Sequence, residues 1–133
     1  MEKQFFHQVS GESEVTFFER ITEDFLFWDD VRSNINCALL LWYKNNRKKE
    51  HGKNFLMVCD FFVEGEQTKE TFSAPFEVNK KLDMEKFQDI CAMRLCSNLV
   101  KKAREKLDKD AINAFSVSFV ETSEYSVGFG KAA

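Results

Sequence analysis

The residues best equipped for chemistry are spread along the chain rather than gathered into a motif. Asp60 stands inside Asn54 to Glu64 (NFLMVCDFFVE), a run that is otherwise almost wholly apolar. A carboxylate there is costly if it is buried without a partner. It reads either as a pKa-shifted acid or pocket ligand, or as a side chain that faces water or pairs with a Lys or Arg. No second carboxylate or histidine is tied to it by the sequence, so no acid–base pair can be named. Lys44, Arg47, Lys48, Lys49 and Lys53 crowd a polar loop, and Trp42 and Tyr43 stand just before it. Basic side chains beside rings are the combination that grips phosphates and stacks bases; the plainer reading is a solvated hairpin tip. Asp29-Asp30 suits a hard cation, but a bare carboxylate pair is weak support for a metal site.

The remaining reactive side chains point to no reaction. Cys37, Cys59, Cys91 and Cys96 form no C-x-x-C, and His7 and His51 lie near none of them in sequence, so neither a zinc site nor a nucleophile–base pair is indicated. There is no Walker loop, dinucleotide fingerprint, nucleophile elbow or H-E-x-x-H. The expectation is a chain with no cofactor, no metal and no catalytic constellation.

Charge is distributed unevenly. Residues 1–30 carry two basic and eight acidic side chains, whereas residues 31–65 carry six basic and three acidic ones. The acidic third suits a basic partner surface or is an ordinary acidic rim. The overall charge of −3 argues against a dedicated nucleic-acid binder without excluding a local basic patch. Fifteen Phe bring much aromatic area to bury, in a core or at an interface, and the single Pro fits long uninterrupted elements. No apolar run approaches the ~20 residues of a membrane span. Met1 to His7 does not read as a signal peptide, and the cysteine usage suits a reducing cytoplasm. These features set the expected localisation as cytoplasmic, with no membrane association.

The elements that must position these residues are read from periodicity. Leu82 to Asp110 is the clearest helix: Asp83 serves as N-cap, Leu82 and Phe87 have the spacing of a hydrophobic staple, and Phe87, Cys91, Leu95, Leu99, Ala103 and Leu107 recur every four residues. Its other face carries Arg94, Lys101 and Arg104. Residues 14–21 look strand-like. Residues 31–46 fit a strand better than a helix, because Ile35, Cys37, Leu39, Leu41 and Tyr43 form one apolar face and four Asn disfavour a helix. Residues 54–64 are apolar on both parities and read as a central strand. Residues 69–78 form a strand that Pro75 places at an edge or a bulge, residues 111–121 alternate, and residues 125–129 read as a short return strand.

Together these give one α+β domain spanning 1–133: an antiparallel, meander-like sheet of about five to seven strands with one long helix from the C-terminal half on one face. The functional expectation is a non-enzymatic, cytoplasmic protein-binding module of the adaptor, chaperone or inhibitor kind, with a homodimer across the uncovered sheet face as a live alternative. The composition also suits a phage or mobile-element accessory protein. Two other readings stand beside it. One is a nucleic-acid binder using the 44–53 loop and the basic helix face. The other is a small-molecule binder or enzyme with a Phe-lined cavity and Asp60 as its polar group.

Overall fold

The computed structural model describes residues 14–64 and 69–122, with side chains from residue 22 onward. The elements in chain order are helix α1 (Glu14–Asn46), strands β1 (Asn54–Val63) and β2 (Lys69–Glu77), helix α2, and strand β3 (Ile112–Glu121). Helix α2 consists of Met84–Phe87 and Met93–Lys106 in α geometry, joined without a break by the π-helical turn Gln88–Ala92. The fold is α+β with an antiparallel sheet.

Helix α1 replaces the strands expected over 14–21 and 31–46. It buries Trp28, Val31, Ile35, Leu39 and Tyr43, a spacing of three or four residues, which is one helical stripe. Two kinds of exception hid that stripe. Leu26, Cys37 and Leu41 are apolar yet exposed, and Asn36 is polar yet buried. The period-2 row from Ile35 to Tyr43 arises because Cys37 and Leu41 happen to alternate with core residues. The asparagines are tolerated because Asn34 and Asn46 donate to the carbonyls four residues back, of Asp30 and Trp42.

The helix lies along the central strand. Trp28 meets Phe61 with ring centroids 6.1 Å apart, and Trp42 meets Phe55 at 4.7 Å. The two tryptophans are separated by roughly 21 Å of helix, and Phe55 and Phe61 by roughly 20 Å of strand. The two rises match, so α1 runs antiparallel to β1 and seats a tryptophan near each end.

The sheet has order β2-β1-β3, antiparallel throughout. β1 is central and β2, with Pro75, is an edge strand, as expected. Among the described residues the sheet has three strands rather than five to seven, and β3 returns beside β1 after α2 instead of continuing a meander. The expected return strand at 125–129 lies outside the described residues. Phe55, Met57, Cys59 and Phe61 of β1 and Phe72, Ala74 and Phe76 of β2 are buried under the helices. Phe115, Val117 and Phe119 of β3 share that face but are only half-buried.

Helix α2 forms within the expected run but ends at Lys106 rather than Asp110: Leu107 and Asp108 are extended, and Lys109–Ala111 make a separate 3-10 turn. The Asp83 carboxylate accepts from the Lys86 N–H at 2.9 Å, satisfying one of the four free donors of the first turn. Asp83→Ala is expected to cost about 1 kcal/mol, measured by urea denaturation; a loss below a few tenths would show that the cap is dispensable. The π turn changes the predicted stripe. The buried row is Phe87, Ala92, Cys96, Leu99, Val100, Ala103 and Leu107, with Cys91 and Leu95 half-buried. The five-residue step from Phe87 to Ala92 spans the π turn, which adds one residue and rotates the later stripe back over the core. Helices α1 and α2 lie antiparallel on the same face of the sheet. Tyr43 stacks on Phe87 at 3.7 Å, the Asn36 amide donates to Gln88 Oε1 at 3.1 Å, and Asp24 pairs with Arg104 at 2.7 Å.

Candidate functional site

With both helices on one side, the other face of the sheet has no cover among the described residues. Leu56, Val58, Asp60 and Phe62 of β1 form its centre line. In register beside them stand Pro75, Ser73, Thr71 and Lys69 on β2, and Val120, Ser118, Ser116 and Ala114 on β3. Phe62 is 42% exposed and Val120 38%. The face is therefore a mainly apolar central row, broken by Asp60 and flanked for the most part by small or hydroxyl side chains. The strand expected at the centre of the sheet is central, with β2 and β3 on either side of it.

Asp60 lies on this ridge rather than in the core. Its carboxylate accepts from the Thr71 hydroxyl at 2.6 Å and lies 3.5 Å from Lys69 Nζ. Its neighbours across the ladder are Thr71 and Ser116. These partners compensate the charge without building a cavity around it.

The basic loop residues come to one end of the molecule, and two lysines the sequence reading did not include join them. Gly52, whose φ of +86° is the left-handed conformation that favours glycine, donates its N–H to the Val78 carbonyl at 2.8 Å, and Val78 N–H returns a bond to Lys53. The Arg47 guanidinium donates to the Lys80 carbonyl, and Lys80 N–H donates to His51 Nδ1 at 2.9 Å. These bonds clamp the 47–53 turn to the 78–81 segment. Lys44, Lys48, Lys49, Lys80 and Lys81 are all exposed there. Lys53 pairs with Glu50 at 2.9 Å and approaches Glu121 at 3.9 Å. The only sequence signal for the added pair was the Lys80-Lys81 doublet itself; its proximity to the loop is a product of the β1–β2 hairpin register.

Trp42 and Tyr43 are not available to stack bases. Tyr43 is fully buried, and Trp42 stacks on Phe119 at 4.9 Å and meets Phe55 and Phe76 edge-on. Nor does the helix face extend the loop into one surface. Arg104 lies at the far end of α2, paired with Asp24 of the acidic part of α1. Asp29 and Asp30 are exposed on α1, where Asp29 holds Arg32 at 3.0 Å and Asp30 lies 3.4 Å from the Asn34 amide. Among the described residues no group of three or more His, Cys, Asp or Glu side chains gathers as a metal would require.

An open depression of about 180 Å³ lies between the helices, lined by Phe25, Trp28, Asp29, Arg32, Val100 and Arg104. Both arginines in it are engaged by aspartates, Arg32 by Asp29 and Arg104 by Asp24. Its balanced charge selects no class of ligand.

The thiols are mostly inert. Burial pushes Cys59 and Cys96 up to about 12, and Cys91 is raised for the same reason. Cys37 is exposed. In native protein one thiol in four, Cys37, is expected to react rapidly with a soluble disulfide reagent; two or more fast thiols would contradict the packing. The same burial sets a pH dependence. The unfolded chain releases these protons near the ordinary value of 9.0, whereas the folded chain retains them toward 12. Above pH 9.0 the unfolded state therefore binds fewer protons, and the stability from these thiols falls as pH rises.

No helix among the described residues is long and apolar enough to cross a membrane. Comparison of the chain with known protein families, with curated proteins and with solved structures finds no match.

Proposed function

We propose that this chain is a non-enzymatic protein-binding module, of the adaptor, chaperone or inhibitor kind, that works through the uncovered face of its sheet. The observation that carries this reading is the row of half-buried Leu56 and Val58 and exposed Phe62, without cover among the described residues, on a sheet whose opposite face is packed under two helices. Exposed apolar residues gathered on one face mark contact sites, Asp60 with Lys69 adds a polar contact within the row, and the flanking serines and alanine let a partner approach it closely. Val58→Lys places a charge on the ridge while its stem lies along the surface, so the fold is expected to survive with little change. In affinity capture from host lysate, the wild-type chain is expected to retain one stoichiometric protein after nuclease treatment, and Val58→Lys to lose it. Equal retention by both chains, or recovery of nothing, would count against this reading.

A second reading, binding of a nucleic acid at the basic end, is favoured by the junction of Lys80 and Lys81 with the 44–53 loop. About five phosphate contacts would make affinity fall roughly several hundred-fold between ~50 and ~200 mM salt. Flat salt dependence would remove it.

A further inference from the structure

Among the described residues the two outer edges of the sheet are unpaired, and they differ. β2 carries Lys69 and Glu70 at its start and Pro75 within it, each a feature that discourages a further strand from pairing. β3 has neither Pro nor Lys. Its one irregularity is a register shift opposite Phe62/Val63, which leaves Ala114 to Glu121 regularly paired with β1 on its other side. The inward row of that strand, Phe115, Val117 and Phe119, is also less covered than the corresponding rows on β1 and β2. The edge and the row beside it are thus incomplete together.

The sequence of the regular stretch indicates what completes them. Phe115-Ser116-Val117-Ser118-Phe119 reads the same in both directions. Two antiparallel copies related by a two-fold axis at Val117 place Val117 opposite Val117, Ser116 opposite Ser118 and Phe115 opposite Phe119. This register also keeps inward residues facing inward residues, because a one-residue slip would set the inward Phe and Val residues against residues of the outward row on every rung. Cross-strand aromatic pairs stabilise antiparallel ladders, and a two-fold contact needs a surface that matches itself.

We propose that β3 pairs with β3 of a second copy of this chain about Val117, joining two three-stranded sheets edge to edge. The inward phenylalanines of each copy then cover those of the other. The pairing leaves the ridge of Leu56, Val58 and Phe62 open on each copy, with the two β3 strips of Ser116 and Ser118 between the two ridges. The inference deepens the protein-contact reading by naming one partner, but it stands on the edge rather than on the ridge.

Ser116 and Ser118 are exposed, so charges can be placed there with little expected effect on folding. The full-length wild-type chain is expected to sediment as a dimer. Ser116→Lys with Ser118→Lys is expected to sediment as a monomer, and so is Ser116→Glu with Ser118→Glu. An equal mixture of the two variants is expected to recover the dimer, because each lysine then faces a glutamate; the recovery also shows that both variants fold. Hydrogen exchange of the wild type is expected to show β3 amides whose protection rises with concentration. A wild-type monomer at every concentration would overturn the proposal, whether its β3 amides exchange freely or are protected by cover within one chain. So would a mixture that stays monomeric, or a dimer whose β3 amides exchange as fast as those of a monomer. In each of these cases a partner retained by wild type and lost in Val58→Lys would leave the protein-binding reading standing.

Discussion

Tyr43→Ala is expected to lower the unfolding free energy by about 3–5 kcal/mol, the range for deleting a buried aromatic side chain. Tyr43 joins three parts of the fold. Its ring lies parallel to Phe87 at 3.7 Å and 3°, which ties α1 to the first turn of α2. Its hydroxyl, within 2.5 Å of the Asn79 carbonyl and 2.8 Å of the Leu82 carbonyl, holds the connection between β2 and α2. Burial raises the phenol above its ordinary value. Total stability for a domain of this size is about 5–15 kcal/mol, and the alanine variant would be close to unfolded at the lower end. Tyr43→Phe separates the two contributions: it retains the stack and is expected to cost only about 1–2 kcal/mol. Equilibrium urea denaturation of both variants reads the difference. Equal losses would show that the hydroxyl, not the stack, carries the contribution.

Arg104→Met is expected to cost about 3 kcal/mol, the lower end of the range for breaking a buried ion pair by removing one partner. Asp24 is 4% exposed. Its Oδ2 lies 2.7 Å from the Arg104 guanidinium yet makes no aligned hydrogen bond, so the contact is chiefly Coulombic. Removing the arginine leaves a carboxylate charged within the fold. The arginine side chain is 27% exposed, and nearby water keeps the expected loss from the upper end. Adding Asp24→Asn removes the stranded charge and is expected to recover more than half of the loss. No recovery in the double variant would show that Arg104 acts through its aliphatic packing instead.

These two residues also show what could be read from the sequence. Most of the run from Leu82 to Asp110 was legible as a helix because its cap, staple and four-residue row agree with one another; the end at Lys106 and the π turn, which no residue type announces, were not. β1, β2 and β3 were legible from alternation, from Pro75 and from the two-sided apolar run at 54–64. Helix α1 was not legible, because its exposed Leu26, Cys37 and Leu41 and its buried Asn36 blur the helical period. Asn36 is satisfied by Gln88 and lies 3.7 Å from Cys96 Sγ, partners that are distant in sequence. Missing α1 also assigned Trp42 and Tyr43 to a surface, whereas they pack the core. The Asp60 position was understood only as two alternatives, and Lys69 and Thr71, which partner it across the hairpin, depend on register. The gathering of Lys80 and Lys81 with the 44–53 loop likewise depends on how β1 and β2 pair, which periodicity does not encode.

The most direct test of the central claim is to install a photo-reactive amino acid at position 58, on the open ridge, and separately at Ser33, on the exposed side of α1. Both chains are then illuminated in the host and the cross-linked species identified. A single protein species linked from position 58 and none from position 33 is expected. No adduct from position 58, or the same scatter of adducts from both positions, would contradict it.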